Sequence, residues 1–210
     1  AARTAEVPVA VHLDHATSPE LVREAVELGL GSVMYDASAL EYDRNVEVTA
    51  EVTAYCHDHG IWVEAELGEV GGEDGVHAHG ARTDPEDAAR FVAATGVDAL
   101  AVAVGTSRAM TDRTAAVDLD LISRLRDRLP VPLVLHGSSG VPDVDLTRAI
   151  AAGISKVNIA THLNRVFTDA VRGYLASNPN IVDTRKYLAP GRDAVAREVA
   201  RLLGAVLAPA

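Results

Sequence analysis

Six short apolar runs, separated by stretches of helical period, restrict this chain to one class of fold. The runs occupy residues 7–15, 31–36, 61–66, 97–105, 131–135 and 154–160, and valine, isoleucine, leucine and alanine dominate them. Runs of this length, bounded by glycine and proline, read as strands buried on both faces. Between them lie helix signals. Thr17-Ser18-Pro19-Glu20 and Thr83-Asp84-Pro85-Glu86 each combine a capping side chain with proline in the first turn, and Gly29, Gly60, Gly96 and Gly153 stand where helices should stop. Further helices are predicted over 119–129, 142–153, 161–176 and 192–207. Strands that alternate with helices pair in parallel, so the class is α/β.

Two parallel architectures compete. A doubly wound sheet gathers its polar residues at one switch point. Here nearly every run delivers one at its carboxyl end: Asp14 and His15, Asp36, Glu66, Thr106, His136 and Asn158. A ring of strand-end polar groups is the pattern of a (β/α)₈ barrel, whose chemistry gathers at that face. The expectation is one TIM-barrel domain over residues 1–210. Six runs fall short of eight, and the chain opens without Met in what resembles the tail of a helix, so about two N-terminal βα units are expected to be absent.

Charge narrows the partners. The formal net charge is −11, which disfavours nucleic acid, because that contact rests on basic surface. No apolar run approaches the roughly 18–20 residues of a membrane span. Ala1-Ala2-Arg3-Thr4 does not begin a leader's apolar stretch, so a soluble, cytoplasmic protein is expected. The lone cysteine, Cys56, reads as a small buried apolar residue.

Chemistry concentrates after the fifth run. In Val134-Leu135-His136-Gly137-Ser138-Ser139-Gly140 a histidine emerges where the strand ends, and glycines and serines then offer N–H groups and hydroxyls of the kind that cradle phosphate. The segment from Gly68 through Gly80, polar and glycine-rich, reads as a mobile loop and not a linker.

These motifs, in this order, resemble the class II (metal-dependent) ketose-bisphosphate aldolases, the family of fructose- and tagatose-bisphosphate aldolases. The resemblance rests on His12-Leu13-Asp14-His15, Val33-Met34-Tyr35-Asp36, Glu64-Ala65-Glu66-Leu67-Gly68, Gly71-Gly72-Glu73-Asp74-Gly75, Leu135 with the loop that follows it, and Lys156-Val157-Asn158-Ile159-Ala160-Thr161. It implies a zinc lyase that cleaves a phosphorylated ketose into dihydroxyacetone phosphate and an aldehyde, the metal polarising the ketose carbonyl. His15 and His136 are implied as zinc ligands, and Asp36 and Glu66 as a second cation position, divalent or monovalent. Asp14 is implied as the acid–base group on the C4 hydroxyl, and Glu73 as the base that moves the proton of the three-carbon fragment. Gly137, Ser138, Ser139, Asn158, Ile159, Ala160 and Thr161 are implied to hold the substrate and its phosphate. A homodimer or homotetramer is implied as well.

One motif departs from the family. Its Gly-Thr-Ser-His-Gly stands here as Gly105-Thr106-Ser107-Arg108-Ala109, with arginine in place of the third zinc histidine. Catalytic zinc takes three protein ligands and an open position, and arginine cannot ligate. Weakened zinc binding is therefore expected. Two alternatives follow: a sugar-phosphate binding or regulatory protein of impaired catalysis, and an enzyme in which Arg108 itself polarises the carbonyl.

Other polar residues carry blander expectations. His12 is expected to be a hydrogen-bonded structural residue, and His57 and His59 to face solvent at a helix end. His77 and His79 are expected on a solvated loop, His162 is expected to have no role at the site, and Arg185-Lys186 is expected to be surface charge.

Overall fold

In the computed structural model, which describes residues 4–67, 82–106 and 113–207, each apolar run yields a strand. These are β1 (His12–Ala16), β2 (Ser32–Tyr35), β3 (Trp62–Glu66), β4 (Ala99–Ala101), β5 (Leu133–Leu135) and β6 (Ile154–Val157). They form one six-stranded sheet in the order β1-β2-β3-β4-β5-β6, and every neighbouring pair is parallel. A doubly wound sheet would reverse its strand order partway across. This one does not, so it is a partial barrel wall of six strands.

The helices are α1 (Pro19–Glu27), α2 (Tyr42–Asp58), α3 (Pro85–Thr95), α4 (Leu119–Arg128), α5 (Asp143–Ala152), α6 (Thr161–Ser177) and α7 (Thr184–Val206). Local chemistry sets their starts. Ser18 accepts a hydrogen bond from Leu21 N, with Pro19 at the helix start, and Asp84 accepts from both Glu86 N and Asp87 N. Gly96 ends α3 at φ +70°, a left-handed conformation that glycine adopts without steric cost. Loss of the double cap in Asp84→Ala is expected to cost about 1 kcal/mol, read as a lower urea midpoint.

Strand alternation divides the sheet into two faces. Val63, Ala65, Leu100, Leu133 and Leu135 pack with Phe91, Ile122, Leu125 and Leu146 in the main core beneath the helices. On the opposite face a small cluster of Ala99, Ala101 and Val134 meets Trp62. That second face carries the polar residues of interest.

Two boundaries differ from the sequence reading. The first run begins its strand only at His12, and Val7, Val9 and Val11 stay exposed at 65%, 51% and 58%. Among the described residues β1 stands at the end of the strand order and pairs with β2 alone, so no other described strand covers its approach. The last helix starts at Thr184, eight residues before the predicted start at Arg192. Asp183 caps it by accepting from Arg185 N, and Pro190 lies inside. Packing of α7 on α6 supports the turn that the proline weakens: Gly191 sits so close to the Phe167 ring that an added Cβ would lie 2.6 Å from it.

Candidate active site

β3 is the centre of the site. Its Val63 and Ala65 enter the core under the helices, so Glu64 and Glu66, the alternate residues, fall on the other face. Both are fully buried. A pair of carboxylates inside a protein demands partners, and His136, which follows β5, supplies them: its Nδ1 lies 2.7 Å from Glu66 Oε2 and its Nε2 2.9 Å from Glu64 Oε1. Lys156 of β6 donates to Glu64 Oε2 at 2.7 Å.

Burial of His136 opposes its charge, but the hydrogen bonds to Glu64 and Glu66 outweigh that and push its pKa up to about 9. Burial likewise opposes the Glu64 carboxylate, and contacts with His136 and Lys156 nevertheless hold it below the usual range. A histidine pKa raised above its ordinary 6.5 stabilises the fold fully below that value, and the contribution disappears as pH rises through about 9. The metal-free chain is expected to lose urea resistance between those limits. A His136→Gln variant that keeps the same slope would contradict this origin.

β1 delivers two site residues by breaking strand alternation. Consecutive residues such as Asp14 and His15 should point to opposite faces. His15, however, has φ 51°, and the β1–β2 register shifts between Leu13 and Ala16. The His15 ring thereby reaches 4.8 Å from the His136 ring, centre to centre. Its Nδ1 lies 2.6 Å from Asp36 Oδ2, and the N–H and hydroxyl of Ser38 both donate to Asp36 Oδ1. Burial works against the Asp36 carboxylate, yet these bonds hold its pKa far below the ordinary range. Asp14 is more open, its side chain 48% exposed, and it accepts from Asn158 Nδ2 at 3.3 Å.

The arrangement suits a cation. One potential ligand atom from each of Asp14, His15 and His136 lies within 4.8 Å of the others, as do those of His15, Asp36 and Glu66. A carboxylate on one imidazole nitrogen, as Asp36 is on His15, orients the ring for metal binding through the other. Imidazole and carboxylate together suit zinc or a similar divalent ion.

Beside the histidines lies a donor-rich loop. Gly137 adopts φ 65° and turns the chain into a 3₁₀ turn at Ser138–Gly140. Ser138 Oγ donates to Asn158 O, and Ser139 Oγ accepts from His162 N at 3.1 Å in the first turn of α6. This joins the loop to Asn158, Ile159, Ala160 and Thr161, where no side chain at the cap position covers the start of α6. Thr106 Oγ1 donates to His136 O at 2.6 Å, fixing the strand end from the segment that follows β4.

Glu73, His77, His79 and Arg108 lie outside the described residues. Among the remaining expectations, His12 Nδ1 lies 2.8 Å from Ser32 Oγ, while His12 Nε2 is a buried atom without a hydrogen-bond partner. His57 pairs with Asp98 at 3.0 Å on the exposed side, and His162 pairs with Glu198 at 2.7 Å. Burial pushes the Cys56 thiol up to about 11, in keeping with an apolar residue. The sequence reading gave no role to Glu64 or Lys156. Their signal is a charge in the middle of a short strand flanked by apolar residues: Val63 and Ala65 around Glu64, and Val157 beside Lys156.

The chain matches the family model described as class-II fructose-bisphosphate aldolase over residues 1–208. Among solved structures it is similar to the YdjI aldolase from Escherichia coli K12, at 36% identity and a TM-score of 0.83 over 98% of this chain and 72% of that one. It is also similar to a chain from Coccidioides immitis assigned as a fructose-1,6-biphosphate aldolase, at 30% identity and a TM-score of 0.81 over 98% and 74%. A fructose-bisphosphate aldolase from Campylobacter jejuni, at 22% identity and a TM-score of 0.75 over 95% and 70%, shares the fold.

Proposed function

From a chain that belongs to the class II fructose-bisphosphate aldolase family, we propose a lyase that reversibly cleaves a ketose bisphosphate into dihydroxyacetone phosphate and an aldehyde. The observation that carries the reading is the approach of the His15 and His136 rings to 4.8 Å, beside Asp14 and the glycine–serine loop. In this reading residues 1–210 are one domain that forms part of an eight-stranded barrel. The protein is cytoplasmic and assembles as a homodimer or homotetramer.

His15 and His136 would hold the divalent cation, zinc in this family, and Asp36 and Glu66 a second one. When bound, such an ion supplies Lewis-acid polarisation of the ketose carbonyl. Asp14 removes the proton of the C4 hydroxyl, the C3–C4 bond breaks toward the carbonyl, and the aldehyde leaves. C3 of the remaining fragment then takes a proton, which Glu73 delivers. Gly137, Ser138, Ser139 and the segment Asn158, Ile159, Ala160, Thr161 bind the phosphate through N–H groups and hydroxyls.

Arg108, standing in the sequence where the family has its third zinc histidine, favours a second reading. A chain that holds zinc poorly while its phosphate loop is intact would bind sugar phosphates without turning them over. Cleavage of fructose and tagatose bisphosphates, measured before and after chelation and zinc return, separates the two. The lyase reading expects cleavage that chelator abolishes and zinc restores. Tight dihydroxyacetone phosphate binding without cleavage at saturating zinc supports the binding protein, and cleavage that survives chelation assigns the carbonyl to Arg108.

A further inference from the structure

Glu64 and Lys156 are 92 positions apart in sequence, on strands that do not pair. Their contact spans two intervening strands, across the sheet face where β4 and β5 present only Ala99, Ala101 and Val134. Larger residues there would block the reach. A buried ion pair is a weak source of stability, because desolvation offsets the attraction. The pair therefore calls for another explanation, and its geometry offers one.

His136 is gripped at both ring nitrogens, but its two carboxylates differ. Glu66 belongs to a candidate cation group with His15 and Asp36, whereas Glu64 belongs to none among the described residues. Glu64 is tied instead to Lys156 at 2.7 Å through its other oxygen, with His12 Nε2 3.9 Å away. A histidine that binds a metal uses one nitrogen and donates its other N–H to an orienting group. Glu64, held by Lys156 and outside both candidate cation groups, is placed for that second role.

We infer that Glu64, pinned by Lys156, is the positioning residue that keeps hydrogen on His136 Nε2 and presents Nδ1 to the cation. A bound ion then replaces the contact between Nδ1 and Glu66, and the contact with Glu64 persists. The inference rests on the reading of His136 as a metal ligand.

The test uses the 210-residue chain with ¹⁵N-labelled histidine, zinc as the probe, and the His136 signals assigned by their loss in His136→Asn. With zinc bound, His136 is expected to show a one-bond N–H coupling at Nε2 and none at Nδ1. Zinc affinity is expected to fall about 10- to 100-fold in Lys156→Met. It should fall comparably in Glu64→Gln, because Oε1 and Oε2 of Glu64 meet His136 and Lys156 separately and an amide whose oxygen faces His136 turns its NH₂ against the Lys156 ammonium. The double variant restores at least fivefold of the Glu64→Gln loss, since the amide then has only His136 to satisfy. Hydrogen at Nδ1 with zinc at Nε2, or single-variant losses below threefold, would overturn the inference and leave the metal centre standing. Zinc at saturation that perturbs neither His15 nor His136 would overturn both. Should Glu64→Gln fail to fold, the coupling pattern and Lys156→Met, at a side chain 31% exposed, decide the matter.

Discussion

Asp14→Asn is expected to lower kcat for aldol cleavage about 10²- to 10⁴-fold, the contribution of a positioned acid–base group. The amide nearly matches the carboxylate in shape but cannot take the C4 hydroxyl proton. KM should change less than kcat, because in the proposed reading the phosphate is bound at Gly137, Ser138 and Ser139, whereas Asp14 meets Asn158 of the neighbouring segment. Asp14 also sits in a candidate cation group with His15 and His136, so zinc affinity separates two roles. If Asp14 is the proton acceptor, zinc affinity stays within a few-fold of the parent while kcat collapses. If zinc affinity falls as steeply as kcat, Asp14 is a ligand and its assignment as the base is mistaken. Dihydroxyacetone phosphate release in a coupled assay, paired with zinc titration by calorimetry, reads both.

Arg108→His is expected to raise zinc affinity at least about a hundredfold. A guanidinium about 4 Å from a divalent ion would cost on the order of 8 kcal/mol, twice the roughly 4 kcal/mol for unit charges at an effective dielectric of 20. Solvent screening and any withdrawal of the charge from the ion would remove much of that. About 2.7 kcal/mol, a third of it, already corresponds to a hundredfold in affinity. The variant also adds a third nitrogen ligand, so cleavage should rise with affinity. Equal zinc affinity and equal cleavage in the two forms would mean that another residue, such as His77 or His79, completes the site.

Much of this architecture was legible in the sequence because each signal was local. Apolar runs and their spacing gave the six parallel strands, and Ser18 and Asp84 marked helix starts through short-range hydrogen bonding. The ring of strand-end polar residues pointed to the face where Asp14, His15, Asp36, Glu66 and His136 come together. What escaped was non-local or conformational. The 92-residue separation of Glu64 and Lys156 becomes a contact only once three strand pairings are in place. The left-handed backbone at His15 has no sequence signature, since histidine enters that region only where its surroundings hold it there. Pro190 signalled a helix boundary, and tertiary packing of α7 on α6 overrode it.

Zinc-edge anomalous diffraction from crystals held in millimolar zinc tests the metal centre most directly. The expected result is a peak about 2.0–2.1 Å from a nitrogen of His15 and of His136, with Glu64 still hydrogen-bonded to the second nitrogen of His136. A peak ligated by other residues, or none between these two rings at saturating zinc, would contradict it.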